Sequence, residues 1–208
     1  MTLLKLAPTR SNLLRLKTSL QFAKEGYNIL DKKREALTIE LMSMVEKAEK
    51  QQIHVQNLMQ NAYQTIEIAR LTMGEEQVSW AALSVPESIE VSIVYYGMMG
   101  VPLPRVKKIS SPQELTYGMG ATTVALDAAA RYFRQVAEEI PITTSYQISI
   151  RRLASELKKT HRRVNALSKI FIPDYEETIQ YIEETLEEQD REEIFRLQWL
   201  KKSKEKIS

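Results

Sequence analysis

The apolar residues in the N-terminal third of the chain recur in alternating steps of three and four positions. The run comprises Leu13, Leu16, Leu20, Ala23, Tyr27, Leu30, Arg34, Leu37, Leu41, Met44 and Ala48. A 3.5-residue repeat forms the seam of a left-handed coiled coil, and Arg34 is the only charged residue on this one. No proline lies between Ser11 and Met73, so the pattern predicts one helix of about 60 residues, roughly 90 Å long. Thr9 is suited to cap it, because its hydroxyl can accept from a free backbone N–H of the first turn.

A second heptad run occupies the C-terminal part of the chain. It passes through Ile150, Leu153, Leu157, Thr160, Val164, Leu167 and Phe171. Three consecutive steps of four then precede the return of the alternation, along Leu167, Phe171, Tyr175, Ile179, Ile182 and Leu186. Extra steps of four are a stutter, which locally unwinds a supercoil, and Pro173 removes one backbone hydrogen bond at the same place. We therefore expect a bend or a relaxed turn at Pro173 within a helix that continues.

The segment between the two runs changes character near Gly74. Alternation in the stretch ESIEVSIVYY is typical of a β-strand, and it places four apolar residues on one face, Ile89, Val91, Ile93 and Tyr95, against Glu90 and Ser92 on the other. The stretch GMMG suits a chain reversal. The following VPLPRVKK suits a short return strand, since its prolines fit a sheet edge.

The predicted organisation is two long helices joined by a compact insert. An N-terminal coiled-coil helix covers residues 1–74, an insert with a short β-hairpin covers 75–118, and a C-terminal helix returns over 119–208. The predicted fold class is therefore mainly α: a long antiparallel two-helix coiled coil with a small β-hairpin at one end.

The charge distribution supports the antiparallel orientation. Residues 1–24 carry +5 and no acid, whereas residues 174–193 carry −9. Antiparallel pairing sets these blocks side by side, while parallel pairing would bring residues 1–24 against the stretch 151–163, which carries +5. Each exposed pair contributes at most about 1 kcal/mol, but the blocks together can select the orientation.

The stretch 151–163 gathers its cations beside the second seam: Arg151, Arg152, Lys158, Lys159, Arg162 and Arg163. One interpretation is a solvated face whose long side chains cover the seam. The other is a basic stripe that meets an acidic partner surface. Nucleic-acid binding is disfavoured, because the stripe lacks interleaved aromatic residues and the same helix is strongly acidic further on.

Composition and motifs argue against chemistry within the chain. Its 208 residues include no cysteine, which excludes disulfides and thiolate metal sites. His54 and His161 lack the nearby ligand pattern that would complete a metal site. The sequence contains neither a G-x-x-x-x-G-K-[ST] phosphate loop nor a G-x-S-x-G nucleophile elbow. We therefore expect no catalytic, cofactor-binding or metal-binding residue.

A direct insertion into the membrane is not expected either. The most apolar run, SIVYYGMMGVPLP at 92–104, is shorter than the roughly 20 residues of a membrane helix and is broken by Gly and Pro. The first residues, before Pro8, are too short to predict a signal peptide.

Two terminal regions resemble the D subunit of the rotary V-type and A-type ATPases. The stretch APTRSNLLRLKTSLQFAKEGYNILDKKREAL is similar to that family's P-T-R, L-x-x-L-K, A-x-x-G and L-x-x-K-x-x-x-L opening. The stretch HRRVNALSKIFIPDYEETIQYIEETLEEQDREEIFRLQWLKK is similar to its R-R-V-N-A-L, I-P, T-I-x-Y-I and L-E-E-x-x-R end. The middle, residues 75–140, matches in layout only.

The resemblance implies a non-catalytic central rotor shaft that couples ATP hydrolysis or synthesis in a headpiece to ion translocation by a membrane ring. The implied partners are the catalytic and regulatory headpiece subunits, a small α/β central-stalk protein (the F subunit) and a funnel-shaped protein that links the shaft to the membrane ring. The implied location is peripheral, on the cytoplasmic face of the membrane. Candidate headpiece-contact residues lie in the two motifs: Thr9, Arg10, Arg162, Arg163 and Asn165.

Three alternatives compete with this interpretation. A coiled-coil scaffold or adaptor unrelated to a motor would show the same heptads. The shaft of F-type ATPases also has two long helices, but it inserts a larger α/β domain than the short insert predicted here. A soluble enzyme is the third, and no predicted site supports it.

Overall fold

The computed structural model describes residues 6–85, 89–110 and 122–205. Its helices are α1 (Arg10–Met73), α2 (Glu75–Leu83), α3 (Val124–Ala166) and α4 (Ile172–Glu205), and a π-helical turn (Leu167–Phe171) joins the last two. The strands β1 (Glu90–Met98) and β2 (Val101–Ser110) pair antiparallel. The predicted fold class is confirmed, because the long N-terminal and C-terminal helices pack together and the sheet is a two-stranded hairpin.

The chain divides into two compact units. Unit 1 comprises Met1–Ala36 with Lys158–Ser208, and unit 2 comprises Leu37–Leu157. The division into segments 1–74, 75–118 and 119–208 stays a prediction, and its second boundary lies outside the described residues.

Unit 1 is built by packing the first half of α1 against α4. Its core cluster consists of Leu16, Ile179 and Ile182, with four half-buried residues packed against it: Leu13, Leu20, Tyr175 and Leu186. All seven occupy positions of the two predicted seams. The heptad pattern therefore identified the residues that hold this unit together.

The start of α1 is capped as the sequence predicts. The backbone N–H of Asn12 donates to Thr9 Oγ1 at 3.3 Å, and the N–H of Leu13 donates to the Thr9 carbonyl at 3.0 Å. The side chain of Thr9 therefore satisfies one of the backbone donors that a helix leaves free at its N-terminus.

Replacing Thr9 with alanine should lower the free energy of unfolding by about 1 kcal/mol, because the Asn12 N–H loses its acceptor. Thermal unfolding of the purified chain measures the effect. The control is Thr18→Ala, since the exposed Thr18 hydroxyl only bonds back to the Leu14 carbonyl inside the same helix. A stability loss as large for Thr18 as for Thr9 would contradict the capping role.

Unit 2 contains two clusters. One joins α1, the hairpin and α3 through Leu37, Met44, Val101, Leu103 and Leu153. The other lies where α2 meets α1 and α3 and consists of Ala69, Val78 and Leu126. Helix α2 was not among the predicted elements.

The hairpin turns at Met99 and Gly100, both of which have positive φ, at 49° and 82°. This is the left-handed backbone that a two-residue hairpin loop requires, and glycine adopts it without steric cost. The loop lies within the predicted GMMG reversal. The pairing shifts by one residue between Ser92 and Ile93, so that Lys107 bulges out of the ladder.

The face of β1 that packs against the core is not the face that the sequence alternation made apolar. The predicted apolar face of β1 is exposed, since Val91, Ile93 and Tyr95 are 36%, 52% and 59% accessible. The opposite face packs into the core through Tyr96 and Met98, together with their partners on β2. The alternation correctly showed a strand, but not which side of it meets the core.

The predicted relaxation next to Pro173 is present as the π-helical turn Leu167–Phe171. Helix α4 continues directly from Ile172. A π-helical turn accommodates extra residues within a helix, which is how the stutter is absorbed. The seam prediction is wrong at Phe171, whose side chain is 48% exposed, because the wider turn rotates it out of register with the buried positions.

Candidate functional site

Three ion pairs connect α1 with α4 in unit 1 at intervals of one heptad. Lys17 Nζ lies 2.6 Å from Glu183 Oε1, and Lys24 Nζ lies 2.7 Å from Glu176 Oε1. Arg10 donates from Nη2 to both carboxylate oxygens of Asp190, at 2.9 and 3.0 Å. The partners run in opposite directions along the two helices, so these pairs confirm the antiparallel orientation predicted from the charge blocks. The cations and the acids each recur every seven residues in the sequence, and this spacing could have identified the pairs.

The predicted contact residues Thr9 and Arg10 lie at the N-terminus of α1. Thr9 acts as the helix cap, and Arg10 is occupied by Asp190 although its side chain remains 76% exposed. Both therefore have structural roles within the chain, and both remain at its surface.

The other predicted contact residues lie in the last turns of α3, just before the π-helical turn. Arg162 and Arg163 are exposed, and within the described ranges neither guanidinium forms an ion pair. The side-chain amide of Asn165 lies 3.1 Å from His161 Nε2. Two exposed guanidinium groups with donors in a planar fork are suited to bind carboxylates.

The structure does not bring the two sets of predicted residues together. Arg10 is level with Asp190, whereas Asn165 lies 25 positions earlier on the same continuous helical path. At 1.5 Å per residue the separation is about 37 Å. The candidate residues are therefore two separate contact points on unit 1, and their contact with a headpiece stays a prediction.

The residues of the predicted basic stripe have different surroundings. In unit 2, Arg152 Nη1 donates to the Pro102 carbonyl at 2.7 Å, and its guanidinium lies 5.5 Å from the centre of the Tyr95 ring. Arg152 therefore fastens α3 to the hairpin through a hydrogen bond and a cation–π contact. In unit 1, Arg162 and Arg163 are instead exposed to solvent.

Arg34 is the charged residue on the predicted N-terminal seam, and it is paired locally. Its Nη2 lies 2.6 Å from Asp31 Oδ1, one turn earlier on α1. Both side chains are partly exposed, so the charge on this seam is paired within one turn of its own helix.

The C-terminal end of α4 exposes large apolar side chains. Those that are at least half exposed are Ile194, Phe195, Leu197, Trp199 and Leu200. Phe195, Arg196, Trp199 and Leu200 line a shallow open groove. Large adjacent apolar residues at a surface are typical of a protein contact.

Within 6–85, 89–110 and 122–205, no group of three His, Asp or Glu side chains is arranged to hold a metal ion. The ammonium of Lys50 lies 2.6 Å from Glu46 and lowers the pKa of that carboxyl, while Glu46 raises the pKa of Lys50. This pair lies one turn apart on an exposed helix face, which is a common surface arrangement. In the same ranges, no helix combines the length and the apolar character that crossing a bilayer requires.

The fold and these surfaces define an antiparallel coiled-coil protein whose candidate sites are contact surfaces. A family model for the D subunit of ATP synthase matches residues 12–202. The D subunit of the V-type ATP synthase of Thermotoga neapolitana is 38% identical over 205 residues, covering 99% of this chain and 100% of the relative. The D subunit of the A-type ATP synthase of Thermococcus sibiricus is 35% identical over 202 residues, covering 96% and 94%.

A third relative has similar coverage at a similar identity. The D subunit of the A-type ATP synthase of Methanosphaera stadtmanae is 36% identical over 199 residues, covering 94% of this chain and 93% of the relative. The chain belongs to the D-subunit family of V-type and A-type ATP synthases.

Proposed function

We propose that this chain is the central rotor shaft of a V-type or A-type rotary ATPase. It transmits rotation between ATP hydrolysis or synthesis in the headpiece and ion translocation in the membrane ring. The observation that carries the proposal is the antiparallel α1–α4 packing of unit 1, with its heptad-spaced ion pairs, in a chain of the D-subunit family.

The packing of unit 1 suits the transmission of torque. Two helices wound about each other resist twisting better than one helix, provided that they do not slide along each other. Sliding by one heptad would bury the same apolar positions again, but it would leave one cation and one carboxylate without their partners at opposite ends of the packed segment. These are Lys24 and Asp190 for sliding in one direction, and Arg10 and Glu176 for sliding in the other. The apolar seam alone would allow the helices to slide by one heptad, and the ion pairs oppose that movement.

The proposed role requires no chemistry of this chain. Nucleotides bind in the surrounding ring of catalytic and regulatory subunits, which agrees with the lack of a phosphate loop in the sequence. The small α/β stalk protein and the funnel-shaped protein are the further proposed partners. The complex holds the chain at the cytoplasmic face of the membrane.

Purification of the native complex from detergent-solubilised membranes tests the proposal. With an affinity tag on this chain, the eluate is expected to contain a nucleotide-hydrolysing ring, a small α/β protein and membrane-ring subunits in fixed ratios. A scaffold or adaptor outside a motor would elute without these proteins. Coupled ATP hydrolysis and ion movement should then be lost from membranes that lack the chain.

The basic pair before the π-helical turn offers a sharper test. The double substitution Arg162→Ala/Arg163→Ala is expected to lower ion movement per ATP hydrolysed severalfold, because two exposed cations no longer meet acidic headpiece groups. The measurement is ATP-driven ion uptake by reconstituted vesicles, alongside ATP hydrolysis in the same sample.

The matched control for that double substitution is Lys47→Ala/Lys50→Ala, which removes two exposed cations from unit 2. It should leave the coupling ratio unchanged. Equal coupling ratios in both variants and the wild type would show that Arg162 and Arg163 belong to a solvated face and do not contact the headpiece.

A further inference from the structure

Gly26 lies in the interior of α1, where glycine is the least favourable residue apart from proline. Apart from its chain neighbours and the backbone of its own helical turns, a Cβ built at this position would meet no atom of the described residues within 4 Å. Its backbone is also outside the left-handed region that favours glycine, as no positive φ occurs there. The described part of the chain therefore gives no steric or conformational reason for glycine, and alanine would fit the free protein better.

The neighbours of Gly26 on the same helix face are large, apolar and exposed. Phe22 precedes it by four residues and Ile29 follows it by three, so the three positions form one continuous patch. The side chains of Phe22 and Ile29 are 77% and 69% exposed. We call these three residues the Gly26 patch.

The patch lies on the edge of α1 away from the ion pairs. In the heptad defined by the seam, Arg10, Lys17 and Lys24 occupy the edge that reaches across to α4. Phe22, Gly26 and Ile29 occupy the outer and opposite-edge positions. One side of α1 is thus used within the chain, and the other presents apolar side chains around a bare stretch of backbone.

An exposed basic residue lies beyond each end of the patch. Arg15 and Lys32 lie one to two turns away on the outward side of α1, and both are exposed. Glu25 is the acid next to the patch, and it already accepts a hydrogen bond from Gln21 at 3.0 Å. A complementary partner surface is therefore apolar at its centre and carries carboxylates at its rim.

We propose that the Gly26 patch is the place where the backbone of a headpiece subunit makes its closest approach to this chain. The missing Cβ admits a backbone at the distance that small residues allow between packed helices and loops. Phe22 and Ile29 then pack on either side, and Arg15 and Lys32 meet carboxylates. The headpiece is the occupant because unit 1 also carries Arg162 and Arg163, which the proposed function sets against acidic headpiece groups. The inference rests on that function.

The substitution Gly26→Ala tests the proposal because it should stabilise the free chain and yet impair its assembly into the complex. In the purified chain, alanine should raise the midpoint of thermal unfolding by about 2–4 °C, because it favours the helix and meets nothing. In cells that express all other subunits together with wild-type and variant copies carrying different tags, the variant should enter the complex at least about fivefold less often. The added Cβ collides only when the partner is present.

Two controls accompany this variant. Asn57→Ala improves the helix propensity at an exposed position of α1 in unit 2, and it should raise the unfolding midpoint without changing incorporation. Phe22→Ser should lower incorporation without raising the midpoint, whereas Ile53→Ser, which removes a 59% exposed apolar side chain in unit 2, should not change incorporation.

Three outcomes overturn the proposal. Equal incorporation of Gly26→Ala and the wild type would show that no partner backbone lies there. A lower unfolding midpoint for Gly26→Ala would show that the chain itself requires the glycine. Failure of the wild-type chain to enter any ATPase complex would refute the proposed function, and this inference with it. That result differs from failure of the inference alone, in which the wild type and Gly26→Ala both enter the complex.

Discussion

Alanine at Leu153 is expected to lower the free energy of unfolding by about 2–5 kcal/mol. The side chain of Leu153 is fully buried on α3, where it meets α1 and the hairpin in the core of unit 2. Its truncation removes apolar contacts from three elements at once and leaves a cavity that long helices cannot easily close. Urea unfolding of the purified chain, followed by circular dichroism, measures the loss.

The control for this truncation is Leu83→Ala in the same unit. Leu83 ends α2 and is 78% exposed, so its truncation should change the stability by no more than about 0.5 kcal/mol. A comparable loss at both positions would mean that the stability of unit 2 does not depend on the cluster around Leu153. Hydrogen exchange adds a local test, since the amides of β2 should lose protection in Leu153→Ala.

The helices and their orientation could be predicted from the sequence because one pattern determines both. Leu16, Ile179 and Ile182 recur at the spacing of a seam, and a helix with such a seam must bury it against another. The opposite charges of the terminal blocks then favour the antiparallel arrangement over the parallel one. These features are local or periodic, so they are visible without the structure.

Features that depend on distant contacts were less accessible. Helix α2 has only nine residues and is held by Val78 packing against Ala69 and Leu126. A helix this short is marginal by itself, and its propensity does not reveal the partners that stabilise it. Similarly, the alternation in β1 cannot tell which face meets the core, since Tyr96 and Met98 on one face can be buried as well as Val91 and Ile93 on the other.

The candidate contact surfaces were predictable only in part. The motifs around Arg10 and Arg162 showed exposed cations, but not that Asp190 would occupy the first. Gly26 ends the A-x-x-G element of the N-terminal motif, but a glycine in a helical pattern cannot be assigned a role until the space around it is known. Sequence periodicity describes what the chain buries in itself, and it says less about what a partner will cover.

Reversing three cations of α1 at once is expected to destabilise unit 1 by about 1–3 kcal/mol at low salt. The variant is Arg10→Glu/Lys17→Glu/Lys24→Glu. It replaces three attractive contacts by repulsion against carboxylates that lie within 3 Å of these cations. The pairs are exposed, so each contributes little, but all three lie on one edge and fail together. Thermal unfolding measures the loss, which should shrink at high salt because screening weakens exposed pairs.

Restoring the opposite signs should recover the stability, which separates pairing from net charge. The rescue adds Glu176→Lys, Glu183→Lys and Asp190→Lys to the first variant, so that each contact is attractive again with its polarity inverted. The charge-matched control reverses three exposed cations of unit 2, namely Lys47, Lys107 and Lys108. If the rescue fails while the control is equally unstable, net charge rather than register explains the loss. If the rescue succeeds, the incorporation of this variant into the complex is informative. Normal incorporation would show that the headpiece does not depend on the sign of the charges on this edge, and reduced incorporation would show that it does.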